Sequence, residues 1–192
     1  MADELGGPAG LDDLVAALDG WVRQARHGRA AGARARRRWL EHQAAEEETL
    51  ASAALALAQR RARVVLRAGS GRCLSGWAAG LGPDFIALAQ PPAGLTLVSL
   101  RLATSLATAA GEPPGPARPL SPCRSDLAGV LDAMSAERPR VALGLRACPE
   151  PVVGRLVSVG ADVARLSVGP PPGRPAWVQL EAVSEVSPLG SG

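Results

Sequence analysis

Apolar positions along this chain follow first a helical rhythm and then a rhythm of short, turn-bounded runs. Leu11, Leu14, Val15, Leu18, Trp21 and Val22 recur at spacings of three and four, which is one face of an amphipathic helix. Asp12 and Asp13 stand in its first turn, where the positive end of the helix dipole favours acids. Gly28 and Gly32 interrupt the pattern, and a second helix is expected from about Ala33 to Ala62. Its stripe of Leu50, Ala51, Ala54, Leu55, Leu57 and Ala58 is rich in small side chains, suited to close packing rather than to a deep core.

From Val64 onward the periodicity changes. Short runs of Val, Leu and Ile, divided by Gly and Pro every several residues, predict strands at Val64–Arg67, Cys73–Gly80, Phe85–Ala89, Leu95–Leu100 and Ala103–Leu106. The stretch GEPPGPARPLSP, Gly111 to Pro122, holds five prolines and reads as a stiff, extended linker. A third helix is expected to start at Ser121–Pro122 or Ser125–Asp126, with Leu127, Val130, Leu131 and Met134 on one face. It should stop near Arg138, because Pro139 cannot continue it. Strand-like runs then resume.

The second strand region repeats the first. Gly76, Gly82, Asp84 and Leu88 match Gly154, Gly160, Asp162 and Leu166 at a constant offset of 78. After a longer loop, Leu97–Leu106 matches Trp177–Val186. Such self-similarity points to an internal duplication. The fold class expected is therefore α+β: an N-terminal helical region, then two small five-stranded β-barrel modules, the second preceded by its own helix. The domain boundaries expected are 1–62 (helical, with a basic segment at 23–38), 63–106 (first barrel), 107–122 (linker), 123–186 (helix plus second barrel) and a tail at 187–192. Gly76 and Gly154 are expected to bend a strand, while Gly82, Asp84, Gly160 and Asp162 mark turns in which aspartate accepts backbone hydrogen bonds.

A helix followed by five short strands, with a glycine in the second strand and then Asp-x-x-x-Leu, resembles the Sm-like small barrel. The resemblance covers Val64–Leu106, Val141–Val186 and the helix before each. It implies a small-barrel fold and a link to RNA binding. The whole chain is also similar to uncharacterised proteins of actinobacteria, chiefly across RRRWLEHQAAEEETL and the first strand region.

Composition narrows the chemistry. All 21 basic residues are arginine, so Schiff-base chemistry and a P-loop lysine are excluded. Cys73, Cys123 and Cys148, with His27 and His42, show no zinc-type spacing, and three scattered cysteines predict no disulfide framework. With no nucleophile elbow, phosphate loop or metal cluster, no enzymatic activity and no cofactor are expected. The acidic opening MADELGGPAG has no apolar core of a signal peptide, and no apolar run would span a bilayer. A cytoplasmic protein without membrane contact is expected.

Charge supplies the functional expectation. Arg23, Arg26, Arg29, Arg34, Arg36, Arg37 and Arg38 form a block without acids, although Glu41, Glu46, Glu47 and Glu48 follow it directly. In the first strand region Arg63, Arg67, Arg72 and Arg101 face Asp84 alone, whereas five arginines meet four acids in the second. Those eleven arginines of the block and the first region are the expected contacts to the phosphates of DNA or RNA, independent of sequence. Arg155 and Arg165 are expected to matter less, being offset by acids. The alternative is a protein-interaction scaffold that self-associates, as a homo-oligomer or with a protein partner, through its helices and open sheet edges.

Overall fold

A computed structural model describes residues 36–43, 45–60, 62–91, 94–109 and 121–190, the side chains of 121 and 122 excepted. The chain divides into two compact units, Met1–Glu48 and Thr49–Gly192. In the first, residues 36–43 and 45–46 are helical and exposed. Arg37 Nε lies 2.9 Å from Glu41 Oε1, one turn along. The helix expected at residues 11–22 lies outside the described residues.

The helix expected from Ala33 to Ala62 is broken at 47–49. Thr49 adopts an extended conformation and caps a separate helix, α1 (Leu50–Gln59). The cap is reciprocal: Thr49 Oγ1 accepts from the Ser52 amide and Ser52 Oγ accepts from the Thr49 amide. Two otherwise orphaned amides are satisfied this way, which makes a new start favourable inside an alanine-rich run.

The second unit contains β1 (Arg63–Arg67), β2 (Cys73–Leu81), β3 (Phe85–Gln90), β4 (Gly94–Ser99), β5 (Ser105–Thr108), the two-residue β6 (Ser121–Pro122) and α2 (Leu127–Ser135). β7 (Arg140–Leu145), β8 (Cys148–Val159), β9 (Val163–Val168), β10 (Arg174–Gln179) and β11 (Val183–Leu189) follow, with a 3-10 turn at Leu180–Ala182 before β11. β1 to β5 lie close to where the apolar runs predict them, whereas β6 falls at the end of the stretch read as a linker or helix start. Asp126 caps α2, its Oδ1 accepting from the Gly129 amide at 2.8 Å.

Their assembly differs from expectation. Ten strands pair antiparallel in one open sheet, in the order β10-β9-β8-β7-β11-β4-β3-β2-β1-β5, and β6 adds to β2 in parallel. This order corrects the two closed five-stranded barrels, the Sm-like small-barrel reading and the duplication read with it. β4 does not close on its own set of strands; it pairs with β11, Leu97 opposite Val186 and Val98 opposite Glu185. A barrel removes its edges by closure, whereas here β5 and β10 are left as the two ends of a single sheet. Phe85, Ala87 and Leu97 of the earlier strands even belong to the core of the later ones. The two sets are unequal as well, with nine residues in β2 against twelve in β8 and no counterpart of β6. What recurs is local geometry. The register shifts between Ala78 and Gly80 in β2 and between Leu156 and Ser158 in β8, and Gly82 and Gly160 each donate an amide across the following turn.

Two clusters form the core. Ala54 and Ala58, four apart on α1, are both covered, and Ala54 packs with Val64, Leu66, Leu88 and Val98. Their small side chains let α1 lie close to the sheet, as the stripe predicts. Leu127 and Leu131 of α2 pack with Phe85, Val141, Leu143, Leu156 and Leu166. Burial along β8 and β9 alternates, so residues between the buried ones face outward.

Candidate nucleic-acid interface

The described arginines of the expected set are largely occupied by neighbours. Arg63 places its guanidinium 5.4 Å from the Trp77 ring centre and donates from Nε to Ser75 Oγ at 3.1 Å. Arg67 Nη1 reaches Gly71 O at 3.5 Å. Arg72 Nη1 is 3.4 Å from Glu185 Oε1, and Arg101 Nε is 3.7 Å from Asp84 Oδ2. Arg36, Arg37 and Arg38 are exposed on the helix of the first unit, Arg37 beside Glu41. Arg23, Arg26, Arg29 and Arg34 lie outside the described residues.

The expected turn residues are placed as turns, with unequal work. Asp84 Oδ1 accepts from the Leu127 amide at 2.9 Å and its carbonyl accepts from Leu100, so it ties the β2–β3 turn to the start of α2. Among the described residues Asp162 uses its carbonyl alone, which accepts from Leu180 at 2.8 Å. Gly76 and Gly154 serve close strand approach: an added Cβ would come within 2.6 Å of Ala89 O and 2.7 Å of Ser167 O. At Gly82 it would meet the Phe85 ring, and at Gly160 it finds ordinary contact. Asp84→Ala should therefore lower stability by about 1 kcal/mol, the usual cost of a lost helix-start acceptor. Asp162→Ala should stay within about 0.5 kcal/mol. Denaturant midpoints of the two variants check this difference.

The arginines of β7–β9 form a different arrangement. Directly opposed residues of antiparallel strands point to the same face. Arg140 opposes Arg155, Arg155 opposes Ser167, and Ser167 opposes Pro175, which makes one row across β7 to β10. Ser158, Arg165 and Trp177 make a second row beside it. Arg140, Arg155 and Arg165 are all exposed, and Trp177 is 64% exposed. Among the described residues none of these three arginines makes an ion pair, and no acid occupies either row. The four acids that balance this region in sequence lie elsewhere: Glu185 is buried, Asp162 and Glu181 line a cleft, and Glu150 lies between Cys148 and Val152, where the β7–β8 register shifts, outside both rows. Like charges directly opposed across a sheet destabilise it by a few tenths of a kcal/mol or more, so the fold gains nothing from Arg140 against Arg155.

The cleft, of about 420 Å³, lies between the β2–β3 turn and the start of α2, and Asp84, Arg101, Asp126, Arg146, Asp162 and Glu181 contribute its charged groups. Asp84 and Asp126 already accept from amides of α2. Among the described residues no group of three metal-ligating side chains occurs, and no helix is long and apolar enough to cross a membrane. Sequence reasoning missed the Arg140–Arg155–Arg165 face because a regional charge sum does not show on which side of a strand each charge lies. The period-two alternation around Leu156 and Leu166 carries that signal. Comparison with protein-family models, curated proteins and solved structures finds no match for this chain.

Proposed function

We propose that this chain is a non-enzymatic nucleic-acid-binding protein that contacts the phosphate backbone through arginines and does not read sequence. The observation that carries the reading is the pair of rows on the outward face of β7–β10, with three exposed arginines and no acid. Arginine's planar fork suits phosphate oxygens, and a ligand that neutralises these charges removes the repulsion the sheet otherwise bears. The face relocates the expected contacts: β1 and the turns of the early strands have their arginines engaged with Trp77, Gly71, Glu185 and Asp84. Fluorescence anisotropy with labelled DNA and RNA of random sequence tests the reading. Binding should be similar for all sequences and should weaken about 7- to 40-fold between about 50 and 200 mM salt, as counterion release at two or three phosphates requires. An absence of binding at the lower salt would sink it.

A second reading, association through the helix of the first unit, rests on Trp39 and Leu40, which are 60% and 54% exposed there. Neighbouring apolar residues left open on a helix favour a partner surface. Light scattering should then show self-association that Trp39→Ala with Leu40→Ala abolishes.

A further inference from the structure

The geometry points to single-stranded nucleic acid as the ligand of the β7–β10 face, with Trp177 as the platform on which an unpaired base stacks; this inference rests on the nucleic-acid reading above. Trp177 sits on β10, an end strand of the sheet, and its neighbour in register is Arg165. Directly opposed side chains start about 5 Å apart at Cβ, so Arg165 and the Trp177 indole emerge side by side from the same face. Arg155 is the diagonal neighbour of Arg165, roughly 7 to 8 Å away, and Arg140 stands one strand further. An indole open to solvent with a line of cations leading away from it matches a base and the phosphates attached to it.

The form of the ligand follows from that arrangement. A base inside a duplex is stacked on both sides and cannot lie on an indole that stands on a gently twisted sheet face. A single strand presents its base face and backbone together, and such stacking tolerates any base. Trp77, the counterpart aromatic near the other end of the sheet, has Arg63 over its ring and is only partly exposed. Trp177 is therefore the better available platform. An acidic peptide is the competing occupant, and β10 is poorly suited to receive one as an added strand. Pro175 has no amide proton, and β10 offers only six residues. The exposed Ser158, opposite Arg165, adds a hydroxyl suited to phosphate or sugar oxygens.

The test uses the full chain with three probes: labelled oligo(dT), a duplex of equal length, and poly-glutamate as competitor. Oligo(dT) should bind about tenfold or more tightly than the duplex and should quench tryptophan emission. Trp177→Ala should weaken oligo(dT) binding about 5- to 100-fold and abolish most of the quenching, while duplex binding stays within twofold. Trp177→Phe should retain most of the affinity, because a ring face is kept. Since Trp177 is exposed, these variants should unfold at the parent's midpoint, which separates lost binding from lost fold. Equal affinity for duplex and single strand, or unchanged oligo(dT) binding in Trp177→Ala, overturns the single-strand inference and leaves backbone binding standing. Poly-glutamate competing as well as oligo(dT) overturns it in favour of an acidic protein partner. No binding of either nucleic acid fails the broader reading and this one together.

Discussion

Glu185→Ala should lower the unfolding free energy by about 2 to 4 kcal/mol, the largest single effect expected outside the leucine core. Glu185 is fully covered within β11. Its carboxylate accepts from Ser70 Oγ at 2.8 and 3.0 Å and lies 3.4 Å from Arg72 Nη1. Both partners belong to the turn between β1 and β2, far away in sequence, and that turn also meets β11 through the Ser70 amide and Ser184 Oγ at 3.2 Å. Removing the carboxylate leaves a void and a buried Ser70 hydroxyl that keeps the Arg72 amide as donor but loses the acceptor for its own proton; the Arg72 side chain, 43% exposed, can turn to water. Glu185→Gln keeps the shape and should cost less. Gly144→Ala reaches the same cluster from the other side: Gly144 opposes Glu185 in register, and an added Cβ would overlap the carboxylate. Overpacking there should cost about 1 to 3 kcal/mol. Chemical denaturation followed by far-ultraviolet circular dichroism measures all three. If Glu185→Ala unfolds at the parent's midpoint, the cluster does not hold β11 to the early strands.

The second large effect concerns binding. Arg140→Gln, Arg155→Gln and Arg165→Gln together should weaken nucleic-acid binding about 100-fold at fixed low salt. At an exposed face each phosphate contact contributes roughly 1 kcal/mol, and 1.4 kcal/mol is tenfold in affinity. All three side chains are exposed, so the unfolding midpoint should hold. Isothermal titration with a random-sequence oligonucleotide gives both affinity and stoichiometry. Retained affinity in the triple variant would assign these arginines to a solvated surface.

Local structure was readable from the residues. The apolar runs place β1 to β5 within about two residues of their observed bounds, and Asp126 and Pro139 bracket α2 as capping and proline chemistry require. Global pairing was not readable. Register and hairpins follow from turns, but the partner of an edge strand depends on distant contacts such as Leu97 against Val186. The break before α1 was missed because Thr49 and Ser52 form a cap only as a pair, inside a run whose composition reads as continuous helix. Glu185 was missed because it sits in the apolar run VSEV, where one acid looks like a solvent-facing residue. The arginine face was missed for a related reason: charge summed over β7 to β11 is nearly balanced, while strand pairing brings Arg140, Arg155 and Arg165 to one side, with Arg146 in the cleft beside Asp162 and Glu181 and Arg174 out of phase with Trp177 on β10.

The most direct measurement is the slope of log affinity against log salt concentration for the parent and two triple variants on the same random-sequence oligonucleotide. Replacing Arg140, Arg155 and Arg165 with glutamine should flatten the slope by about two to three units, one for each phosphate no longer neutralised. Replacing Arg36, Arg37 and Arg38 should leave it within about one unit of the parent. The opposite pattern, with the slope kept in the first variant and flattened in the second, would contradict a binding face on β7–β10 and place the phosphate contacts on the N-terminal helix.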